Sequence, residues 1–394
     1  MQKILTQIEE AIQGDLTTKQ NYLDYYSTDG SIFELTPTAI CFPKDSVDIQ
    51  NIVTIIHDAA KQGHYLPITP RGKGTDQGGG PLGTGLIMDF TRYMNQILEI
   101  GDDYVRVQPG VRYGELQDAL KKRGRYLPPY PASLEICSIG GAVANNSAGE
   151  KTVKYGATRH YVKNLHVVLS NGDMIQTEKL TRRQLGVRKR QDSFLGKIYK
   201  QIHTIITDNE DVIDTHRPHV TKNSSGYALW EIEKWGMFDL AQLITGSQGT
   251  LGIVTEIILE TMPLPESSDV VLAVSHYDSL QAAGNAIREL HELEPSALEV
   301  VDQNLLKLVL KQNPTLLDGL LPKELPAIIL LTEFDNDSKN ETAKKMASAV
   351  STFDKYAFSW VKKEDPAEQA RLWKLRRSAA AVMWTIPGSK KALP

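Results

Sequence analysis

A chain of 394 residues, 41% hydrophobic and 23% charged, has ordinary globular composition and more length than one small core can use, so two or three domains are expected. Its 44 basic and 48 acidic residues leave a net charge of −4, which gives no case for nucleic acid as the main partner. The two cysteines, Cys41 and Cys137, stand in no CxxC or Cys/His spacing, so no metal site is expected, and their scarcity fits a reducing compartment.

The N-terminal MQKILTQIEEAIQG is amphipathic and lacks the apolar run and cleavage site of a signal peptide. No stretch approaches the length of apolar residues that spans a bilayer. A cytoplasmic protein is expected, with no transmembrane segment and at most a partner-mediated attachment to a membrane. Residues 1–14 read as a helix, and NYLDYYSTDGSIFELTP as an irregular aromatic-rich segment. AICFPK reads as a strand, and SVDIQNIVTIIHDAAKQG as a helix capped by Ser46 and ended by Gly63. The strand YLPITP enters PRGKGTDQGGGPLGTG, residues 70–85, in which seven of sixteen residues are glycine, and the strand GLIMDF leaves it.

That order decides against two familiar phosphate loops. A Rossmann fingerprint or a P-loop places its glycines between a strand and a helix. Here strands lie on both sides, Gly72-x-Gly74 lacks its third glycine, and GxxxxGK[ST] is absent. A phosphate at this loop would rest in a nest of successive backbone N–H groups.

Farther on, YVRVQPGVRYGELQDALKKRG reads strand, turn, helix. SIGGAVANNSAG reads as a short helix from Ser138, whose free N–H groups and positive dipole end suit an anion. Gly140 and Gly141 in its first turn would let another group approach closely. NLHVVLSNGDMIQT is a hairpin around Asn171-Gly172, TRRQLGVRKRQ a basic surface loop, and GSQGTLGIVTEIILETMPLP a glycine turn, a strand and a boundary near residue 264. From there strands (DVVLAVSHY, ALEVVD, AIILLTEFD) alternate with helices (SLQAAGNAIRELHEL, NLLKLVLKQ, SKNETAKKMASAVST, PAEQARLWKLRRSAAAVMW), a second α+β domain.

Three glycine-bearing stretches, residues 70–85, 138–149 and 246–252, point to one extended phosphate-bearing ligand, with Arg71 and Lys73 supplying positive charge. Together with YSTDGSIF, KYGATRHYVKNLHVVLSNG and GSQGTLGIVTEI, these stretches resemble the FAD-binding PCMH-type domain of the vanillyl-alcohol oxidase and p-cresol methylhydroxylase flavoproteins. The nearest branch is that of the glycolate oxidase FAD-subunit and the D-lactate and D-2-hydroxyglutarate dehydrogenases. The resemblance implies an α+β architecture: a helical segment at 1–35, a two-part FAD-binding PCMH-type domain at 36–264, and an α+β, ferredoxin-like cap domain at 265–394. It implies that Arg71, Gly72, Lys73, Gly74, Thr75 and Asp76 hold the FAD pyrophosphate. Ser138, Gly141, Asn145, Asn146, Ser147 and Gly149 form a second FAD-contacting segment, and Ile253 an apolar contact. Thr75 stands where relatives with covalent FAD carry histidine, so non-covalent FAD is expected; Ala142 and Ala148 also depart from the branch, which has Asn and Gly there.

On the substrate side, Trp373 and Arg376 form a W-x-x-R whose arginine, by resemblance, binds the substrate carboxylate, with Arg377, Lys390 and Lys391 as weaker candidates. Among nine histidines none has a catalytic spacing, and His160 is the best placed. The family's base and metal-binding histidines follow its W-x-x-R segment, so the chain is expected to be truncated at its C-terminus and without a metal. The expected function is FAD-dependent oxidation of a D-2-hydroxy acid such as D-lactate, glycolate or D-2-hydroxyglutarate, with an iron–sulfur protein or a quinone as electron acceptor. The alternatives are a carbohydrate oxidase or UDP-sugar reductase of the same superfamily, or a non-catalytic FAD-binding remnant.

Overall fold

The computed structural model describes residues 1–266, 269–312, 321–335 and 338–383. The chain forms two compact units, residues 1–147 with 157–262, and residues 148–156 with 263–394.

The first unit opens with the helix Gln2–Ala11, which buries Ile4, Leu5 and Ile8 against Ile49, Ile52 and Val53 of the helix Ser46–Lys61. Asp45, one residue before the expected Ser46, caps that second helix by accepting from the amides of Val47 and Asp48. An aspartate carboxylate satisfies two orphan donors and favours the positive helix end, which a serine hydroxyl does less well. The strands Ala39–Phe42, Leu86–Asp89 and Ile68–Arg71 pair in parallel, with Asp15–Thr17 added antiparallel at the edge. Ala39–Phe42 and Leu86–Asp89 are buried throughout, in keeping with their apolar residues 39–42 and 86–88; buried Asp89 accepts from the Tyr26 hydroxyl at 2.7 Å.

A second, antiparallel sheet follows the order Ile97–Ile100, Tyr104–Val107, Ile253–Glu260, Val162–Val168, Met174–Gln176. Its outer hairpin turns at Asn171-Gly172 as expected, with Gly172 at φ +89°. Two segments read as irregular are helical. Gln20–Tyr26 is a helix, and Arg182–Arg188 forms one because Thr181 and Gln184 make a reciprocal capping box and Leu185 is buried. Gly186 in that helix has open space where a Cβ would go. Gly186→Ala is therefore expected to stabilise the fold by about 0.5–1 kcal/mol in urea unfolding, and a lowered midpoint would show that the segment is not helical in solution.

The second unit is ferredoxin-like. Strands Val270–Tyr277, Ala297–Asp302, Ile328–Asp335 and Ser359–Lys363 form an antiparallel sheet in which the first lies between the third and the fourth and the second lies at an edge. Alternate residues of Val270–Tyr277 face opposite cores. Val271 and Ala273 pack with helices Leu280–His291 and Lys339–Tyr356, whereas Leu272 and Val274 pack with Gln303–Gln312 and Pro366–Met383. Ser279 and Ser338 cap the first two of these helices. Among the described residues no helix is long and apolar enough to cross a membrane.

Candidate functional site

The three glycine stretches converge within the first unit. A Cβ on Gly72 would lie 2.0 Å from the Ser138 hydroxyl, one on Gly249 would lie 2.6 Å from Pro70, and one on Gly80 would lie 3.6 Å from the Gln248 side chain. The amides of Gly246 and Gln248 donate to the carbonyls of Val143 and Ala144, each at 2.9 Å. Asp76 ties the first two stretches: its Oδ1 accepts from Asn145 Nδ2 at 2.5 Å, and its Oδ2 accepts from the Gly78 and Gly80 amides at 2.9 Å. Both oxygens of this carboxylate thus shape the loop.

Arg71 ends the strand Ile68–Arg71 and is buried. Its guanidinium donates to the carbonyls of Tyr26 at 3.2 Å and Thr28 at 2.9 Å and lies 5.0 Å from the Tyr26 ring centroid. Burial lowers its pKa, while Tyr26, Asp89 and Asp29 partly offset that loss. The structure therefore uses Arg71 to hold the YSTDG segment beside the loop, where Gly30 donates to the Gly74 carbonyl at 2.8 Å. Lys73 is exposed. Gly74 takes φ +64°, a left-handed conformation open to glycine. Gly30, which sequence reasoning did not single out, lies so close that a Cβ on it would sit 2.6 Å from the Asp76 carbonyl and 2.9 Å from that of Thr75.

Among the described residues, no protein acceptor takes the backbone N–H groups of Gly72, Lys73, Gly74, Thr75, Asp76 or Gln77. Six consecutive donors without a protein acceptor in a glycine loop are what an amide nest for an anion requires, and a Cβ at position 72 would collide with Ser138 beside them. The short helix Ile139–Ala144 differs from its expectation. Ile139 and Gly140 donate to the carbonyls of Val111 and Pro109, and Gly141 to its own cap, the Ser138 hydroxyl. The group that Gly140 admits is Pro109, whose Cβ would lie 2.6 Å from a Cβ there. The first-turn amides are thus spent inside the fold, and the free donors belong to residues 72–77.

Asn145 faces Asp76, but Asn146 is buried at φ +45°, accepting from the Arg159 amide at 2.9 Å and donating to the Asn223 carbonyl at 3.3 Å. The Ser147 carbonyl accepts from the amide and the hydroxyl of Thr158 at 3.0 and 2.7 Å. Ile253 opens the central strand and packs with Val168 in the core. His160 is exposed. Gly149 falls in the second unit, where its amide donates to Thr152 Oγ1 at 2.8 Å.

In the second unit Arg376 pairs through Nε with Glu299 Oε2 at 2.7 Å, and Arg377 Nε lies 3.5 Å from Glu150 Oε2. Trp373 is buried, and its indole N–H donates to Glu333 Oε2 at 3.1 Å. Lys390 and Lys391 lie outside the described residues. The cluster joined to Trp373 has no local motif to announce it, since its members lie up to 184 residues apart. Lys151 bonds Glu333 Oε1 and, at 2.9 Å, Asp335 Oδ2; Lys154 and Tyr155 reach Asp335 Oδ1 at 2.8 and 2.9 Å; Ser296 donates to Glu333 Oε1 at 2.8 Å. Burial tends to raise the Asp335 pKa, but Lys151 and Lys154 outweigh it and hold the carboxyl below its ordinary value.

Residues 37–178 match the family described as FAD binding domain, and residues 266–393 the C-terminal domain of FAD linked oxidases. The chain is 27% identical to D-2-hydroxyglutarate dehydrogenase of Escherichia coli (strain K12), over 100% of its own length and 40% of that protein. It is 32% identical to glycolate oxidase subunit GlcD of Bacillus subtilis (strain 168), over 89% of this chain and 63% of the subunit. The chain thus spans less than two thirds of either relative. The solved 4-ethylphenol oxidase from Gulosibacter chungangensis superposes with a TM-score of 0.67 at 16% identity, covering 99% of this chain and 72% of that one, which shows a shared fold. With a two-sheet first unit, a ferredoxin-like second unit and both family matches in that order, the chain belongs to the FAD-binding PCMH-type flavoproteins.

Proposed function

We propose that this chain carries the flavin-binding and substrate-binding parts of an FAD-dependent dehydrogenase that oxidises a D-2-hydroxy acid to the 2-oxo acid. The observation that carries the cofactor half is the run of free amides at residues 72–77, packed against Ser138 and Asn145. These amides would hold the pyrophosphate of non-covalent FAD, with Lys73 adding charge and Asp76 fixing the loop's shape. FAD, when bound, would supply the hydride acceptor for oxidation at C2. Oxidation would turn the C2–O bond into a carbonyl as the hydroxyl proton leaves to a base that is assigned to no residue of this chain. Arg376 would hold the substrate carboxylate, a task that suits a guanidinium on a helix anchored by its buried neighbour Trp373. The names of the relatives, which act on D-2-hydroxyglutarate and glycolate, favour this substrate class. Electrons would leave to an iron–sulfur protein or a quinone, a reading supported by the resemblance of YSTDGSIF.

Purified protein is expected to be yellow and to release its flavin on heating; colourless protein that takes up no FAD would sink the reading. Anaerobic D-lactate, glycolate or D-2-hydroxyglutarate is expected to bleach the flavin. Arg376→Ala should raise the substrate concentration needed for half-maximal bleaching roughly tenfold, the size of one charge-assisted contact. Bleaching as ready as in wild type would remove Arg376 from the site.

A further inference from the structure

We propose that Glu299 is an internal competitor for the substrate carboxylate, occupying Arg376 until the hydroxy acid displaces it. The inference rests on the carboxylate role given to Arg376 above. Glu299 projects from the edge strand Ala297–Asp302, and Arg376 from the helix Pro366–Met383. Their contact is a single Nε to Oε2 bond of 2.7 Å, and the two side chains stay 31% and 20% exposed.

Three features favour a displaceable partner over a structural tie. First, the contact uses Nε, one corner of the fork that a bidentate carboxylate needs, so a bidentate ligand on that edge must move Glu299 aside. Second, both side chains keep contact with water, so the pair lacks the fully desolvated setting in which breaking an ion pair is most costly, and exchange with a carboxylate from solvent is possible. Third, the helix is anchored elsewhere. Trp373 is bonded to buried Glu333, Leu372 and Leu375 lie in the core, and Arg377 pairs with Glu150. The guanidinium of Arg376 is therefore free to exchange partners without releasing the helix. A second carboxylate on the same guanidinium also meets the charge of Glu299, which raises the ligand concentration needed for half-occupancy.

The two roles predict opposite signs. If Glu299 only braced Arg376, its removal would loosen anion binding; as a competitor, its removal tightens it. The experiment measures oxalate binding to the FAD-loaded full chain by calorimetry. Oxalate is a small planar carboxylate with no C–H bond to lose, so binding is read without flavin reduction. Glu299→Gln is expected to lower the dissociation constant about two- to fivefold, the range set by a partly exposed ion pair. Glu299→Asp, whose carboxylate is withdrawn by one methylene, should shift it the same way by less, and serves if the glutamine variant does not fold. The gain should vanish in the Glu299→Gln/Arg376→Ala double variant; a gain that persists there would reflect overall charge and overturn the proposal. Weaker or unchanged binding in Glu299→Gln, with binding lost in Arg376→Ala, overturns the competitor role alone. Oxalate bound by Arg376→Ala as tightly as by wild type overturns the carboxylate reading and the competitor together.

Discussion

Gly30→Ala protein is expected to fold normally and to bind FAD about ten- to a hundredfold more weakly than wild type. The added methyl would lie 2.6 Å from the Asp76 carbonyl oxygen, 2.9 Å from that of Thr75 and 3.0 Å from the Thr75 carbonyl carbon. All three are backbone atoms, so no side-chain rotation relieves the clash, and the peptide units that carry the free amides must themselves move. Overpacking of this kind costs typically 1–3 kcal/mol, and each 1.4 kcal/mol is a factor of ten in affinity. The Gly30 amide also donates to the Gly74 carbonyl, so a displaced loop loses that tie as well. The core of the first unit lies elsewhere, among residues such as Ile8, Cys41, Ile52 and Met88, so circular dichroism should report an unchanged fold. Gly284→Ala in the second unit, where a Cβ meets nothing within 4 Å, is the matched control and should leave FAD binding unaltered. The measurement is quenching of flavin fluorescence as FAD is added to each apoprotein. Wild-type affinity in Gly30→Ala would show that the Thr75–Asp76 backbone does not carry the pyrophosphate.

Features that depend on neighbours in sequence were legible, and those that depend on distant partners were not. The parallel strands Ala39–Phe42 and Leu86–Asp89 announced themselves as buried apolar runs, and Asn171-Gly172 as a hairpin turn. The basic stretch after residue 180 reads as a solvated loop because of its lysines and arginines, yet it is helical. Its deciding signal was the Thr181-x-x-Gln184 spacing, which makes a capping box. The glycine loop was correctly separated from Rossmann and P-loop geometry by the strands on both sides of it. Where its free donors lie was another matter. Ser138 does cap a helix, as its type and position imply, but Val111 and Pro109 take the next two amides, and nothing in SIGGAVANN shows that. Arg71 looked like a phosphate ligand from its charge alone, whereas the fold turns it onto the carbonyls of Tyr26 and Thr28. Trp373 drew attention as half of W-x-x-R, yet its partner Glu333 is 40 residues away and pairs with a lysine 182 residues away.

That last pairing sets the largest expected effect on stability. Lys151→Ala should destabilise the protein at pH 7 by about 3–5 kcal/mol, the usual result of breaking a buried ion pair and leaving its partners charged. Two carboxylates would be left, since Lys151 bonds both Glu333 and Asp335, and the Asp335 side chain has no solvent exposure. Lys154 and Tyr155 would remain on Asp335, and Ser296 and Trp373 on Glu333. The pH dependence separates this electrostatic account from simple loss of packing. In wild type the Asp335 carboxyl is held below its ordinary value, so its stabilisation is complete above the unfolded-chain pKa of about 4 and is lost as pH falls through the lower folded value. Without Lys151, burial, the largest single influence on this group, has less to oppose it, so its folded pKa rises and protonation relieves the misplaced charge. Between pH 7 and pH 4 the contribution of Asp335 to wild type is therefore unchanged, whereas Lys151→Ala gains stability as its raised carboxyl takes up a proton, so the gap between them should narrow. Lys151→Met, which keeps the length and apolar bulk of the stem, should show the same narrowing. Urea unfolding at the two pH values, followed by tryptophan fluorescence, gives the comparison. A gap equally wide at both would mean that Lys151 acts through its packing and not through its charge.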